Sequence, residues 1–116
     1  MHMYELEIHE SFDSAHQLIG HPKCSRVHGH RFEVVIYVVC NKLSDDGFAV
    51  DFGEVKKLFK KYDHSGEILH ETAEQLAEKF AGEVNAIIPE SANASVQSVE
   101  VWETPKNCAR WIDLSI

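Results

Sequence analysis

Four imidazoles and one thiol fall within fifteen residues of this chain, and three of the imidazoles stand out with the thiol: His16, then Cys24-Ser25-Arg26-Val27-His28-Gly29-His30. His28 and His30 are two residues apart. In a strand, successive side chains alternate faces, so both rings point to one side. A third imidazole from an adjacent strand, His16, can then close a three-nitrogen metal site. Three protein ligands and one open position are what a catalytic zinc uses. The Cys24 thiol stands just outside the pair. It either acts as a base or nucleophile, or joins the imidazoles as a fourth ligand in a closed structural site.

These groups need a scaffold. The chain has 116 residues, 44% of them hydrophobic and 26% charged, with a formal net charge of −8. That is one globular domain over residues 1–116 with an ordinary core. The acidic balance lacks the basic footprint of a nucleic-acid binder, and no apolar run reaches membrane-spanning length. Cys24, Cys40 and Cys108 are an odd count without disulfide-like spacing. With no signal peptide, they fit a reducing cytoplasm.

The hydrophobic pattern supplies the elements. Residues 3–12 alternate loosely and read as a strand, followed by a loop over 13–27. Residues 28–43 read as a long strand whose even positions, His28, His30, Phe32, Val34, Ile36, Val38 and Cys40, share a mostly apolar face. The two imidazoles therefore end a core-facing row. Asp45-Asp46-Gly47 signals a turn, with a hairpin partner expected at Phe48-Ala49-Val50. Residues 51–62 read as a helix capped by Asp51 with Glu54 at the capping-box position. Its buried stripe is Phe52, Val55, Leu58, Phe59 and Tyr62, and Lys56, Lys57, Lys60 and Lys61 form the solvated side. A second helix starts near Thr72, boxed by Gln75, and runs through Leu76, Ala77, Phe80, Val84, Ile87 and Ile88. Pro89 and the Ser-Ala-Asn-Ala-Ser segment at 91–95 end it. Residues 96–103 and 109–115 read as a closing hairpin. The order is ββ-αα-ββ, an α+β fold with a four-stranded antiparallel sheet and two helices on one face.

On the penultimate strand, Glu103 shares a face with Val99 and Val101. A carboxylate on an apolar face needs a partner. Either the strand end bends into solvent, or Glu103 awaits a ligand with paired N–H donors. Cys40 reads as a small core residue and Cys108 as an incidental turn residue. His2, His9 and His21 carry no separable signal.

Taken in order, Phe12-Asp13-Ser14-Ala15-His16, Cys24 to His30, Val50-Asp51-Phe52, Asp63-His64, Thr72-Ala73-Glu74 and Val101-Trp102-Glu103-Thr104 resemble the 6-pyruvoyl- and 6-carboxy-tetrahydropterin synthase family over nearly the whole chain. The resemblance implies a tunnelling fold (T-fold) and a homo-oligomer, a trimer, tetramer or hexamer, with shared active sites. It also implies Zn2+ and a dihydroneopterin triphosphate substrate. By motif, His16, His28 and His30 would hold zinc and Cys24 would accept a proton. Asp63 and His64 would help the thiol ionise. Glu103 would grip the pterin, with Thr104 and Thr72 near the same pocket. Lys23, Arg26, Lys106 and Arg110 flank the motif loops and are candidates to receive a triphosphate.

Three residues separate Cys24 from His28, which resembles the bacterial and archaeal 6-carboxy-tetrahydropterin synthase branch of the deazapurine (queuosine) pathway. The 6-pyruvoyl enzymes resemble a longer spacing. One departure stands out. Only residues 65–71 separate His64 from Thr72, a Leu-Asn pair is missing, and Glu71 stands where the family pattern has proline. This shortened loop makes His70 a competitor for the relay role. Two functions follow: a zinc-dependent carbon–oxygen lyase acting on a reduced pterin triphosphate, or a silent zinc-binding T-fold protein that binds a pterin or purine without turnover. Among the lyases, 6-pyruvoyl-tetrahydropterin synthase is the alternative to the 6-carboxy enzyme.

Overall fold

The computed structural model describes residues 2–116. The elements in order are β1 (Tyr4–His16), β2 (His28–Lys42), α1 (Phe52–Lys60), β3 (Ile68–Leu69), α2 (Ala73–Asn85), β4 (Asn93–Thr104) and β5 (Asn107–Ile112). They build one sheet in the order β3-β1-β2-β4-β5. The large pairs are antiparallel, whereas β3 runs parallel to β1. The sheet therefore has five strands and is mixed, where four antiparallel strands were expected. The extra strand is two residues long and carries no pattern that a period of two could reveal.

The core lies between one sheet face and both helices. Phe32, Val34, Ile36, Val38 and Cys40, the even row of β2, are buried as the alternation requires. They meet Val55 and Phe59 of α1 and Leu76, Ala77, Phe80 and Val84 of α2. Phe12 is the aromatic hub. Its ring stacks on Phe32 at 5.1 Å and meets Tyr62 at 5.5 Å and Phe80 at 5.8 Å. This fixes β1 against β2 and both helices, four residues before His16.

Several expected boundaries shift. The segment 13–16 is strand, not loop, because β1 stays paired to β2 until His16 faces His28. Long-range pairing overrides the weak strand preference of Asp13, Ser14 and Ala15. Phe48–Val50 forms no hairpin strand. Ser44 and Phe48 close a tight turn at 2.8 Å, with Gly47 at a φ of 88°, and Ala49 and Val50 plug the core instead. Phe52 is exposed, outside the buried stripe. Asp51 does cap α1, its carboxylate accepting from the Gly53 N–H at 2.8 Å, but Glu54 pairs with Lys57 at 3.1 Å. The Thr72–Gln75 capping box of α2 is present in full. α2 ends at Asn85, before Ile87 and Ile88, and β4 begins inside the segment expected to be loop, at Asn93. No helix among the described residues is long and apolar enough to cross a membrane.

Candidate metal centre and surrounding clefts

The paired ends of β1 and β2 bring His16, His28 and His30 together. One nitrogen from each lies within 4.8 Å of the others. His16 is fully buried and its ring stands edge-on to Phe32 at 5.5 Å, with the His30 ring 5.1 Å from the same phenyl. Phe32 is thus the floor of the cluster, the next inward position of β2 after His30.

The hydrogen bonds decide which nitrogens face inward. His16 Nε2 lies 2.8 Å from the Glu71 carbonyl oxygen, and His28 Nδ1 lies 2.8 Å from the Arg26 carbonyl oxygen. A carbonyl only accepts, so these two nitrogens carry the hydrogens. With both rings neutral, as metal ligands are, His16 Nδ1 and His28 Nε2 are then bare, and they face each other at 3.3 Å. Two lone pairs at this distance repel unless a cation sits between them. In a tetrahedral site with Zn–N bonds of about 2.0–2.1 Å, adjacent nitrogens lie roughly 3.3–3.4 Å apart. The donor set therefore fits zinc, and the carbonyls of Glu71 and Arg26 are the outer partners that such imidazoles need. Burial pushes the His30 pKa below its usual value; Glu103 opposes that shift, and His28 and His16 add to it.

Glu103 continues the inward row of Val99 and Val101. Its Oε2 stands 4.0 Å from His30 Nε2, with the carboxylate part exposed. It comes beside the clustered imidazoles of its own chain. Glu103 also joins two clefts. One, of about 650 Å³, is lined by His30, Arg31, Trp102, Glu103 and Thr104. The other, of about 540 Å³, is lined by Thr72, Glu103, Cys108 and Arg110 among others. Thr72 and Thr104 thus share Glu103 as a neighbour but line different clefts. Cys108 sits on β5, not in a turn, and faces the second cleft.

Cys24 is half-buried and lies outside the cluster of clustered ligand atoms, so the closed four-ligand site is not built here. Its loop springs from His16 and returns to His28. The Leu18 N–H donates to the Cys24 carbonyl at 2.7 Å, and the Gln17 side chain donates to the Ser25 carbonyl at 2.8 Å.

Asp63 and His64 do form a pair, with His64 Nδ1 3.0 Å from Asp63 Oδ1. The His64 N–H is held on the Asp13 carbonyl at 2.8 Å, and His64 has a positive φ of 50°. The Asp13 N–H holds the Asp63 carboxyl below its usual pKa, and His64 and Arg31 assist against desolvation. His64 lines a cleft of about 500 Å³ with His30 and Arg31, and Cys24 lines none of the three clefts. His70 instead sits at the root of the Cys24 loop, its Nδ1 3.2 Å from the Gln17 carbonyl. Asp13 and Gln17 are roughly 13 Å apart along the chain direction of β1. Within one chain, then, His64 and Cys24 are anchored at different levels.

Sequence patterns missed Arg31, which bridges Glu33 at 3.0 Å and Asp13 at 3.3 Å beside two of the clefts. They also missed the carbonyls of Glu71 and Arg26, which leave no side-chain signal. Of the four cations considered for a triphosphate, Arg110 is committed to Glu100 at 2.6 Å. Cys40 is buried in the core as expected.

A profile of the 6-pyruvoyl tetrahydropterin synthase family matches residues 5–112. The chain is 33% identical to a 6-carboxy-5,6,7,8-tetrahydropterin synthase of Rickettsia conorii, over 84% of this chain and 91% of that one. It is 34% identical to the enzyme of the same name from Synechocystis, over 87% of each. Among solved structures, Caenorhabditis elegans 6-pyruvoyl tetrahydropterin synthase superposes with a TM-score of 0.73 at 20% identity, covering 97% of both chains. That likeness shows the tunnelling fold.

Proposed function

This chain belongs to the 6-pyruvoyl tetrahydropterin synthase family, and we propose that in it the chain is a zinc-dependent lyase that converts 7,8-dihydroneopterin triphosphate to 6-carboxy-5,6,7,8-tetrahydropterin. The observation that carries the reading is the pair of bare imidazole nitrogens facing each other at 3.3 Å, in a chain similar to enzymes of that name. His16, His28 and His30 would hold the zinc. When bound, zinc supplies Lewis-acid polarisation of side-chain oxygens and so acidifies the neighbouring C–H. The spacing of Cys24 and His28 supports the 6-carboxy product and a place in deazapurine synthesis.

The chain's own residues do the rest. Cys24, as the thiolate, takes the proton released at the substrate side chain. Glu103 accepts the paired N–H groups of the 2-amino-4-oxo pterin edge as charge-assisted hydrogen bonds. It then orients the ring from the cleft beside His30. Phe32 and the buried His16 keep water from the floor of the site. Lys23, Arg26 and Lys106 are the cations left to offset the triphosphate in an acidic chain.

Asp63 and His64 are the proposed relay, with His64 oriented by the Asp63 carboxylate. Their anchoring on Asp13, in a cleft that Cys24 does not line, supports an assembly in which a second copy brings its pair to the thiol. The sheet supports assembly too. β5 has a free outer edge, and the two-residue β3 leaves most of β1 uncovered, so both edges are open to pairing. We therefore propose a homo-oligomer with shared sites.

The test is incubation of the zinc-loaded protein with 7,8-dihydroneopterin triphosphate and identification of the product by mass spectrometry. A 6-carboxy-tetrahydropterin product supports the reading. A 6-pyruvoyl product moves the chain to the sister activity, and no consumption of substrate overturns the lyase.

A further inference from the structure

We propose that His21 is a positioning residue for Cys24, its imidazole capping the single helical turn that carries the thiol. The inference rests on the reading of Cys24 as the base. His21 Nδ1 accepts the Cys24 N–H at 3.0 Å and the Lys23 N–H at 3.2 Å. The Ser25 N–H donates to the His21 carbonyl at 3.1 Å, which closes one α-turn over Pro22, Lys23 and Cys24. This is the pattern of a helix start. The cap's side chain takes the N–H groups of the second and third positions, and its carbonyl takes the first intrahelical bond. Pro22 occupies the first position, where a missing N–H costs nothing and a fixed φ suits the turn.

Without that acceptor, the Lys23 and Cys24 N–H groups lose their partner together. His21 itself is exposed, so what it contributes lies in these hydrogen bonds and not in core packing. Its own N–H donates to the Leu18 carbonyl at 3.2 Å, and the Leu18 N–H returns to the Cys24 carbonyl at 2.7 Å. Both peptide groups of Cys24 are thus tied, one to an imidazole and one to Leu18. The loop begins directly after His16 and ends at His28. Its conformation therefore sets where the thiol stands relative to two of the three clustered imidazoles. A reacting group misplaced by about 1 Å can lose a hundredfold in rate, so a turn that fixes the thiol matters to turnover.

Asparagine is a better helix cap than histidine and keeps an acceptor; alanine keeps none. The experiment compares His21→Ala with His21→Asn in the zinc-loaded, full-length protein. Substrate-free protein is treated with iodoacetamide, and alkylation of Cys24 is followed by peptide mass spectrometry, with the exposed Cys108 as internal reference. In His21→Ala, Cys24 should alkylate about tenfold faster as the loop opens, with Cys108 unchanged. Zinc content should hold, and kcat should fall at least about tenfold with KM within about threefold. His21→Asn should bring both readouts back to within about threefold of the parent. Unchanged alkylation in His21→Ala, or an Asn variant as perturbed as the Ala variant, overturns the proposal. Faster alkylation with unchanged kcat also overturns the proposal, since the loop then opens at no cost to turnover; full activity in Cys24→Ala, measured beside it, would instead overturn Cys24 as the base. Should His21→Ala not fold, His21→Gln, whose acceptor sits one bond further out, carries the same comparison.

Discussion

Replacing Cys24 with alanine isolates the thiol with little structural disturbance. The two backbone bonds of the residue, to His21 and Leu18, do not involve Sγ and survive the change. Alanine also suits a helical turn. The thiol is outside the clustered ligand atoms, so the three imidazoles keep their facing nitrogens and the metal affinity should stay within about threefold. Only proton transfer is removed. A positioned general base contributes about 10²–10⁴-fold, or roughly 3–5.5 kcal/mol of barrier at 1.36 kcal/mol per decade. The assay is turnover of 7,8-dihydroneopterin triphosphate, read by product mass spectrometry, beside zinc analysis of the same sample. Retained zinc with a loss in that range is the expected pair of results. Full activity would refute the base, and loss of zinc along with activity would show that Cys24 is a ligand.

The remaining expectations follow from other contacts. Glu103→Gln swaps one of two acceptors for a donor that meets a pterin N–H, and should cost about 10–150-fold in kcat/KM, the equivalent of one charged hydrogen bond. Phe12→Ala removes the hub between Phe32, Tyr62 and Phe80 and should destabilise the fold by about 3–5 kcal/mol in urea titrations. A loss under about 1 kcal/mol would contradict the hub. Glu100 is buried at 7% exposure; against that burial, the Trp102 indole N–H and the Arg110 guanidinium hold its pKa below the usual value. A depressed carboxylate stabilises the fold above its unfolded pKa, about 4.3, and that stabilisation is lost as pH falls through the lower folded value. Glu100→Gln should therefore cost about 1–3 kcal/mol at pH 7, and the difference from the parent should shrink as pH drops below about 4. A gap that stays constant down to acid pH would contradict this.

Much of this architecture is legible before any coordinates. The even row of β2 and the Thr72–Gln75 box follow from local periodicity and capping, and both are present. The i, i+2 histidines meet because they sit on that same row. What the sequence conceals is non-local. β1 reaches His16 only because β2 pairs with it, and β3 exists only because Ile68 and Leu69 lie along β1. Phe52 escapes the stripe because it opens α1, where the helix has not yet turned onto the core. The carbonyls that orient His16 and His28 belong to Glu71 and Arg26, and a carbonyl is invisible to any residue pattern. His21 did leave a signal: an acceptor side chain directly before a proline matches a helix start, though only one turn long.

The central claim is that His16, His28 and His30 hold a zinc ion. Elemental analysis of the purified protein and of His28→Ala tests it most directly. The account predicts one zinc per chain in the parent and its loss in the variant, because His28 Nε2 is one of the two bare nitrogens that face each other at 3.3 Å. Undiminished zinc in His28→Ala would contradict it.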